Sequence, residues 1–123
     1  MGADTRLMHA GLLSGNRLSG CKVENSEGEH LGTIEDLIID EEQGRVAYAL
    51  LSFGGFLGLG NKLFAFPWAA LHHDRVEKKV ILDVDKESLK NAPGFDKDSW
   101  PDMSDRTWGA RIHSYYNTRP YWH

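Results

Sequence analysis

Nine consecutive residues, RVAYALLSF (Arg45–Phe53), constrain this chain most. Apolar side chains stand at both parities, so a strand made of them buries both of its faces. Such a strand belongs in the middle of a sheet, with a layer of protein on either side.

The flanking residues supply its partners. EEQG (Glu41–Gly44) reads as a hairpin turn, with glycine where a positive φ is expected. LGTIEDLIID (Leu31–Asp40) before it reads as a long strand whose apolar phase slips, because Ile34 is out of step with Leu37 and Ile39. A structure of period two absorbs that slip only through a bulge or bend, placed here at Glu35–Asp36. Val23 falls in a short strand, and SEGEH (Ser26–His30) is a turn around Gly28. In KLFAFP (Lys62–Pro67), Phe64 and Phe66 share a face, and PWAAL (Pro67–Leu71) has proline at the start of one helical turn. VEKKVILDV (Val76–Val84) alternates, with Val76, Val80, Leu82 and Val84 on one face and Lys78 interrupting it. Several short strands joined by tight turns predict a mainly β protein built as a small antiparallel barrel or sandwich.

After Asp85 the pattern changes. Asp85 is an N-cap residue type, and DKESLKNA (Asp85–Ala92) predicts a short helix ended by PGF (Pro93–Phe95). Six of the thirteen aromatic residues lie between Trp100 and His123, which sets this segment apart from an aromatic-poor disordered tail. Asp102 and Asp105 follow Pro101 in a capping arrangement. Trp108, Ile112 and Tyr115 or Tyr116 are spaced for one helical face, so a helix is expected over 102–116, docked on the barrel or on another subunit. The expected organisation is a flexible leader (1–17), a β domain (18–85) and a helical, aromatic-rich C-terminal extension (86–123).

The order LSGCKVENSEGEHLGTIEDLIIDEEQGRVAYALLSFGGFLGLGNKLFAFPWAAL resembles the PRC-barrel family. The resemblance rests on Gly20 and Val23, Gly28, Leu31-Gly32 and the acidic strand from Asp36 to Asp40. It continues through Gly44-Arg45-Val46, the Gly-Gly-Phe-Leu-Gly loop and Pro67-Trp68, covering about two-thirds of the chain. WPDMSD…YYNTRPYW looks like the tail of free-standing bacterial members. The resemblance implies a strongly bent antiparallel β-barrel. Its better-known relatives, the cytoplasmic domain of the photosynthetic reaction-centre H subunit and the C-terminal domain of a ribosome maturation factor, use the barrel to bind proteins. This chain is expected to lack both the H subunit's membrane helix and the maturation factor's second domain, so neither function transfers directly.

Each candidate chemistry meets an obstacle in the residues. GGFLGLGNKLF (Gly54–Phe64) is glycine-rich, but Leu63 stands where a dinucleotide fingerprint needs its third glycine. Asn61 separates Gly60 from Lys62, and Leu63 replaces the hydroxyl residue of a P-loop. A connection between strands accounts for the glycines, and leaves Phe56, Leu57 and Leu59 to fold back on a core or dock on a partner. The longest uncharged run, Val46–Asn61, is 16 residues, short of the roughly 20 that span a membrane. His72-His73-Asp74 could suggest a metal site, but neighbours on a strand point to opposite faces, and exposed loop histidines are the simpler reading. Asp36, Asp40, Glu41 and Glu42 lack the alternation of a calcium loop and read as a solvated turn. Cys21 is the single cysteine, which excludes an internal disulfide and a thiolate cluster, and no histidine is placed to activate it. It reads as a small buried or half-buried residue in a protein of the reducing cytoplasm.

Charge bears on nucleic acid. Leu18 to Asp85 carries 6 Lys/Arg against 12 Asp/Glu, and an acidic body opposes phosphate-backbone binding. Arg106, Arg111 and Arg119 among the tail aromatics could form a stacking surface, but packing against the barrel or a subunit is preferred. No catalytic, cofactor or metal site is therefore expected. The chain reads as a non-enzymatic protein-interaction module that forms homo-oligomers, with Phe56, Leu57, Leu59, Trp108, Tyr115 and Trp122 as interface candidates. An accessory role in RNA processing or ribosome assembly, or in a membrane or photosynthetic complex, is the alternative suggested by the relatives. Co-sedimentation with ribosomes, with membranes or with neither would separate the three.

Overall fold

The computed structural model describes residues 13–53, 62–74, 77 and 79–123. Seven strands make one sheet: β1 (Lys22–Glu24), β2 (His30–Asp40), β3 (Arg45–Ser52), β4 (Lys62–Pro67), β5 (Leu71–Asp74), β6 (Lys79–Leu82) and β7 (Phe95–Asp96). Their order is β5-β6-β1-β2-β3-β4-β7, which puts the doubly apolar β3 inside the sheet, as its sequence requires. Among the described residues there are three helices, α1 (Gly15–Leu18), α2 (Lys86–Lys90) and α3 (Arg106–Tyr115), and a 3-10 turn at Trp68–Ala70.

The β2–β3 hairpin is the frame. Gly44 has φ 67°, and the Asp40 carboxylate closes the turn by accepting the Glu42 and Gln43 N–H groups and pairing with Arg45 Nε at 3.1 Å. The register slips between Ile34 and Asp36, so Glu35 is the extra residue of a bulge at the place the sequence phase demanded. Ile34 and Leu37, three apart, can then both face the inner core. A second slip, between Ile38 and Ile39, left no mark in the apolar pattern. Ile39 has inner parity but lies at the far end of the hairpin, 54% exposed.

The inner face of the sheet gathers Val23, Leu31, Ile34, Ala49, Leu51, Phe53, Phe64, Phe66, Val80 and Leu82. Phe64 and Phe66 on β4 share this core with Val80 and Leu82 on β6, although three strands separate β4 from β6 in the sheet. Only a strongly bent sheet brings them together. Leu18 of α1 and Leu89 of α2 are buried in the same cluster. The expected mainly β, barrel-type fold with a helical tail is borne out, with one parallel pairing inside it. β1 and β6 pair in parallel, Val23 opposite Val80, and the sheet is not closed among the described strands. The long crossover after β4 returns the chain through the 3-10 turn and β5, so β6 arrives beside β1 in the same direction.

Of the expected leader, residues 1–12 lie outside the described residues; Leu13 packs on the inner core and Gly15–Leu18 form one helical turn. Asp85 caps α2, its side chain accepting the Ser88 N–H. α3 begins at Arg106, four residues later than the sequence suggested. Asp105 accepts the Thr107 N–H as N-cap, while the Asp102 carboxylate is engaged in a preceding turn by Ser104.

Candidate interaction surface

β3 has a second apolar face, and the C-terminal extension covers it. Ala47, Tyr48, Leu50, Leu63 and Ala65 form the sheet side of this outer cluster; Ile112 of α3 is buried against them, with Ile38, Phe95, Met103, Trp108 and Tyr121 around the rim. At Gly109 the helix comes so close that a Cβ there would stand 2.7 Å from the Tyr48 hydroxyl and 2.9 Å from the Trp122 ring. No side chain larger than hydrogen fits without moving one of these rings.

The end of α3 redirects the chain. Asn117 adopts a left-handed conformation (φ 56°), Thr118 N–H donates to His113 O at 2.9 Å, and Asn117 N–H donates to Ser114 O at 3.1 Å. This is a Schellman turn with asparagine in the place usually taken by glycine. It sends Arg119–His123 back across the helix as a strap. Tyr48 is ringed by Trp108 at 5.4 Å, His113 at 5.4 Å and Tyr121 at 5.6 Å between ring centroids. The Arg45 guanidinium lies over Tyr121 and that of Arg106 over Trp122, at 5.4 and 5.2 Å.

The structure therefore places Trp108 and Trp122, two of the interface candidates, half-buried against their own chain. Tyr115 is 40% exposed, and its hydroxyl donates to Ser88 O at 2.6 Å, tying α3 to α2. Phe56, Leu57 and Leu59 lie outside the described residues. Trp100, absent from the sequence-based candidates, is 48% exposed and packs edge-on against Phe95 of β7 at 5.9 Å. β7 pairs with the start of β4, Lys62 opposite Asp96 and Leu63 opposite Phe95, so Trp100 stands beside the start of β4.

The sequence does not single out His113, because its signal is tertiary. Its ring is buried, with Nδ1 2.7 Å from Gly109 O and Nε2 accepting the Tyr121 N–H at 3.2 Å. Burial holds its pKa below the usual histidine value. The hydroxyls of Tyr48 and Tyr116 are buried with no hydrogen-bond partner among the described residues, and burial pushes both phenols up.

The other candidates disperse. His72 and His73 belong to strand β5 rather than to a loop; His72 is exposed and His73 half-buried, and the pairing with β6 fixes them on opposite faces. No group of three metal-ligating side chains forms among the described residues. A depression of about 420 Å³ between the β1–β2 turn and α2 is lined by Asn25, Ser26, Glu27, Asp83, Val84, Asp85 and Ser88. Its polar groups mostly satisfy one another: Ser26 donates to Asp83, Asp85 accepts from Ser88 N–H, and Asn25 Oδ1 accepts from Glu27 and Glu29 N–H. The Cys21 thiol donates to Arg17 O, and burial raises its pKa, which favours the thiol over the nucleophilic thiolate. No helix among the described residues is long and apolar enough to cross a membrane.

Comparison with known sequences agrees with this architecture. No curated protein matches the chain. The family model for the PRC-barrel domain matches residues 11–89, which takes in α1, all strands from β1 to β6 and most of α2, and stops short of α3 and the strap. With well over half of its length matched and its sheet bent around one inner core, the chain belongs to the PRC-barrel domain family.

Proposed function

We propose that this chain is a non-enzymatic protein-binding module of the bacterial cytoplasm whose first partner is another copy of itself. The observation that carries the reading is Trp100, a large aromatic side chain left 48% exposed on Phe95 at the β7 edge, beside Leu63 at the start of β4. Tryptophan concentrates binding energy when a partner covers it, because it brings a large apolar area at low entropic cost. The extension has already covered the outer face of β3, so Trp108 and Trp122 serve the fold, and Trp100 with Phe56, Leu57 and Leu59 serves the partner.

Light scattering on the purified chain tests this. The wild type should have the mass of an oligomer, and Trp100→Ser or Phe56→Ser with Leu59→Ser should lower it. A monomeric wild type, or an unchanged mass in both variants, would overturn the reading.

A further inference from the structure

His113 is 1% exposed, and both of its ring nitrogens are engaged. The partners decide its protonation. A backbone N–H can only donate, so Nε2 accepts from Tyr121 at 3.2 Å; Nδ1 therefore carries the ring proton and donates to Gly109 O at 2.7 Å. An imidazolium has two N–H groups and no acceptor. A second proton would set Nε2–H against the Tyr121 N–H, donor to donor, with no room to turn away.

Burial outweighs the one bond that favours the charged ring, from Nδ1 to Gly109 O. The ring faces Tyr48 from β3 and Tyr121 and Trp122 from the strap, with centroids at 5.4, 5.8 and 5.5 Å. The charged groups recorded around this cage lie one ring further out: Arg45 over Tyr121, with Asp40 paired to it, and Arg106 over Trp122. His123 lies tilted against the Trp122 ring, with centroids 6.2 Å apart. Thr118 is held separately, through the His113 carbonyl, and that bond is indifferent to the state of the imidazole. The strap thus has a fixed hinge at Asn117–Thr118 and one bond, from Tyr121, that depends on a neutral ring.

We propose that His113 is a proton-operated latch: neutral, it holds the strap Arg119–His123 over Tyr48; protonated, it releases Tyr121, and the strap swings away and uncovers Tyr48. Burial favours the neutral ring, so the latch is closed at neutral pH and opens in acid. This inference is independent of the Trp100 surface.

Amide exchange and histidine titration by NMR on the full chain test it. Between about pH 7.5 and the acid pH at which the His113 ring has titrated, the Tyr121 amide should lose at least about tenfold of its protection, while the Leu50 amide in β3 stays protected. His113→Phe cannot titrate, and should show the same Tyr121 protection at both pH values. Constant Tyr121 protection in the wild type, an equal loss in His113→Phe, or simultaneous loss at Leu50 would each overturn the latch. Should His113→Phe fail to fold, the wild type decides alone: a His113 titration that leaves Tyr121 protected also overturns it.

Discussion

The hydroxyl of Tyr48 lies where a Cβ on Gly109 would stand only 2.7 Å away, so this approach of α3 to the sheet is built on a missing side chain. Alanine is the better helix former by about 1 kcal/mol, and on a free helix Gly109→Ala would stabilise. Here it overpacks the contact with Tyr48 and Trp122, at a typical cost of about 1–3 kcal/mol. We expect a net loss of stability in urea denaturation, and partial recovery in Gly109→Ala with Tyr48→Phe, which removes the atom the new methyl meets.

Tyr48→Phe alone should raise stability. The hydroxyl is buried without a hydrogen-bond partner among the described residues, so the native state carries its desolvation cost with no return. Removing such a group is worth on the order of 1 kcal/mol. A thermal melt of the variant at or above the wild-type midpoint would agree, and a clear fall would show that the hydroxyl is satisfied in solution.

Gly32 makes the opposite kind of demand. A Cβ there would meet the Ser52 backbone oxygen at 2.3 Å and the Phe53 ring at 2.7 Å, and a paired strand cannot step aside as a side-chain tip can. Gly32→Ala should cost at least about 3 kcal/mol, read as a large drop in the urea midpoint or failure to fold by circular dichroism.

His113 makes stability pH-dependent with a definite sign. The folded state lowers its pKa from 6.5, so below about 6.5 the unfolded chain binds a proton that the folded chain resists. Stability from this residue is therefore complete above about 6.5 and lost as pH falls toward the folded value. Urea midpoints measured across this range should fall with pH in the wild type and fall less steeply in His113→Gln.

Much of the sheet can be read in the residues because its rules are local. Gly44 must take a positive φ in a turn this tight, and does. The out-of-step Ile34 calls for a bulge, and Glu35 provides it. The doubly apolar Arg45–Phe53 requires cover on both faces, and receives it from the inner core and from α3. Asp85 announces the start of α2 one residue before it.

Other features depend on pairs of residues distant in sequence. Nothing near Val23 says that it will run parallel to Val80. Asp102 and Asp105 are equally good caps by type, and only the prior engagement of Asp102 by Ser104 leaves the helix to start after Asp105. Gly109 looks like a defect in α3 until Tyr48 arrives beneath it, and His113 looks like any helical histidine until Tyr121 returns over it. The sequence by itself determined the long strands β2, β3 and β4, the turn at Gly44, the capped start of α2, and that β3 is covered twice, because periodicity and backbone preference act within a few residues. The tertiary structure alone decided which side chains do the covering, which ring nitrogen of His113 holds the proton and that Trp100 is left out, because close packing and burial are set by groups that meet only after the chain has folded.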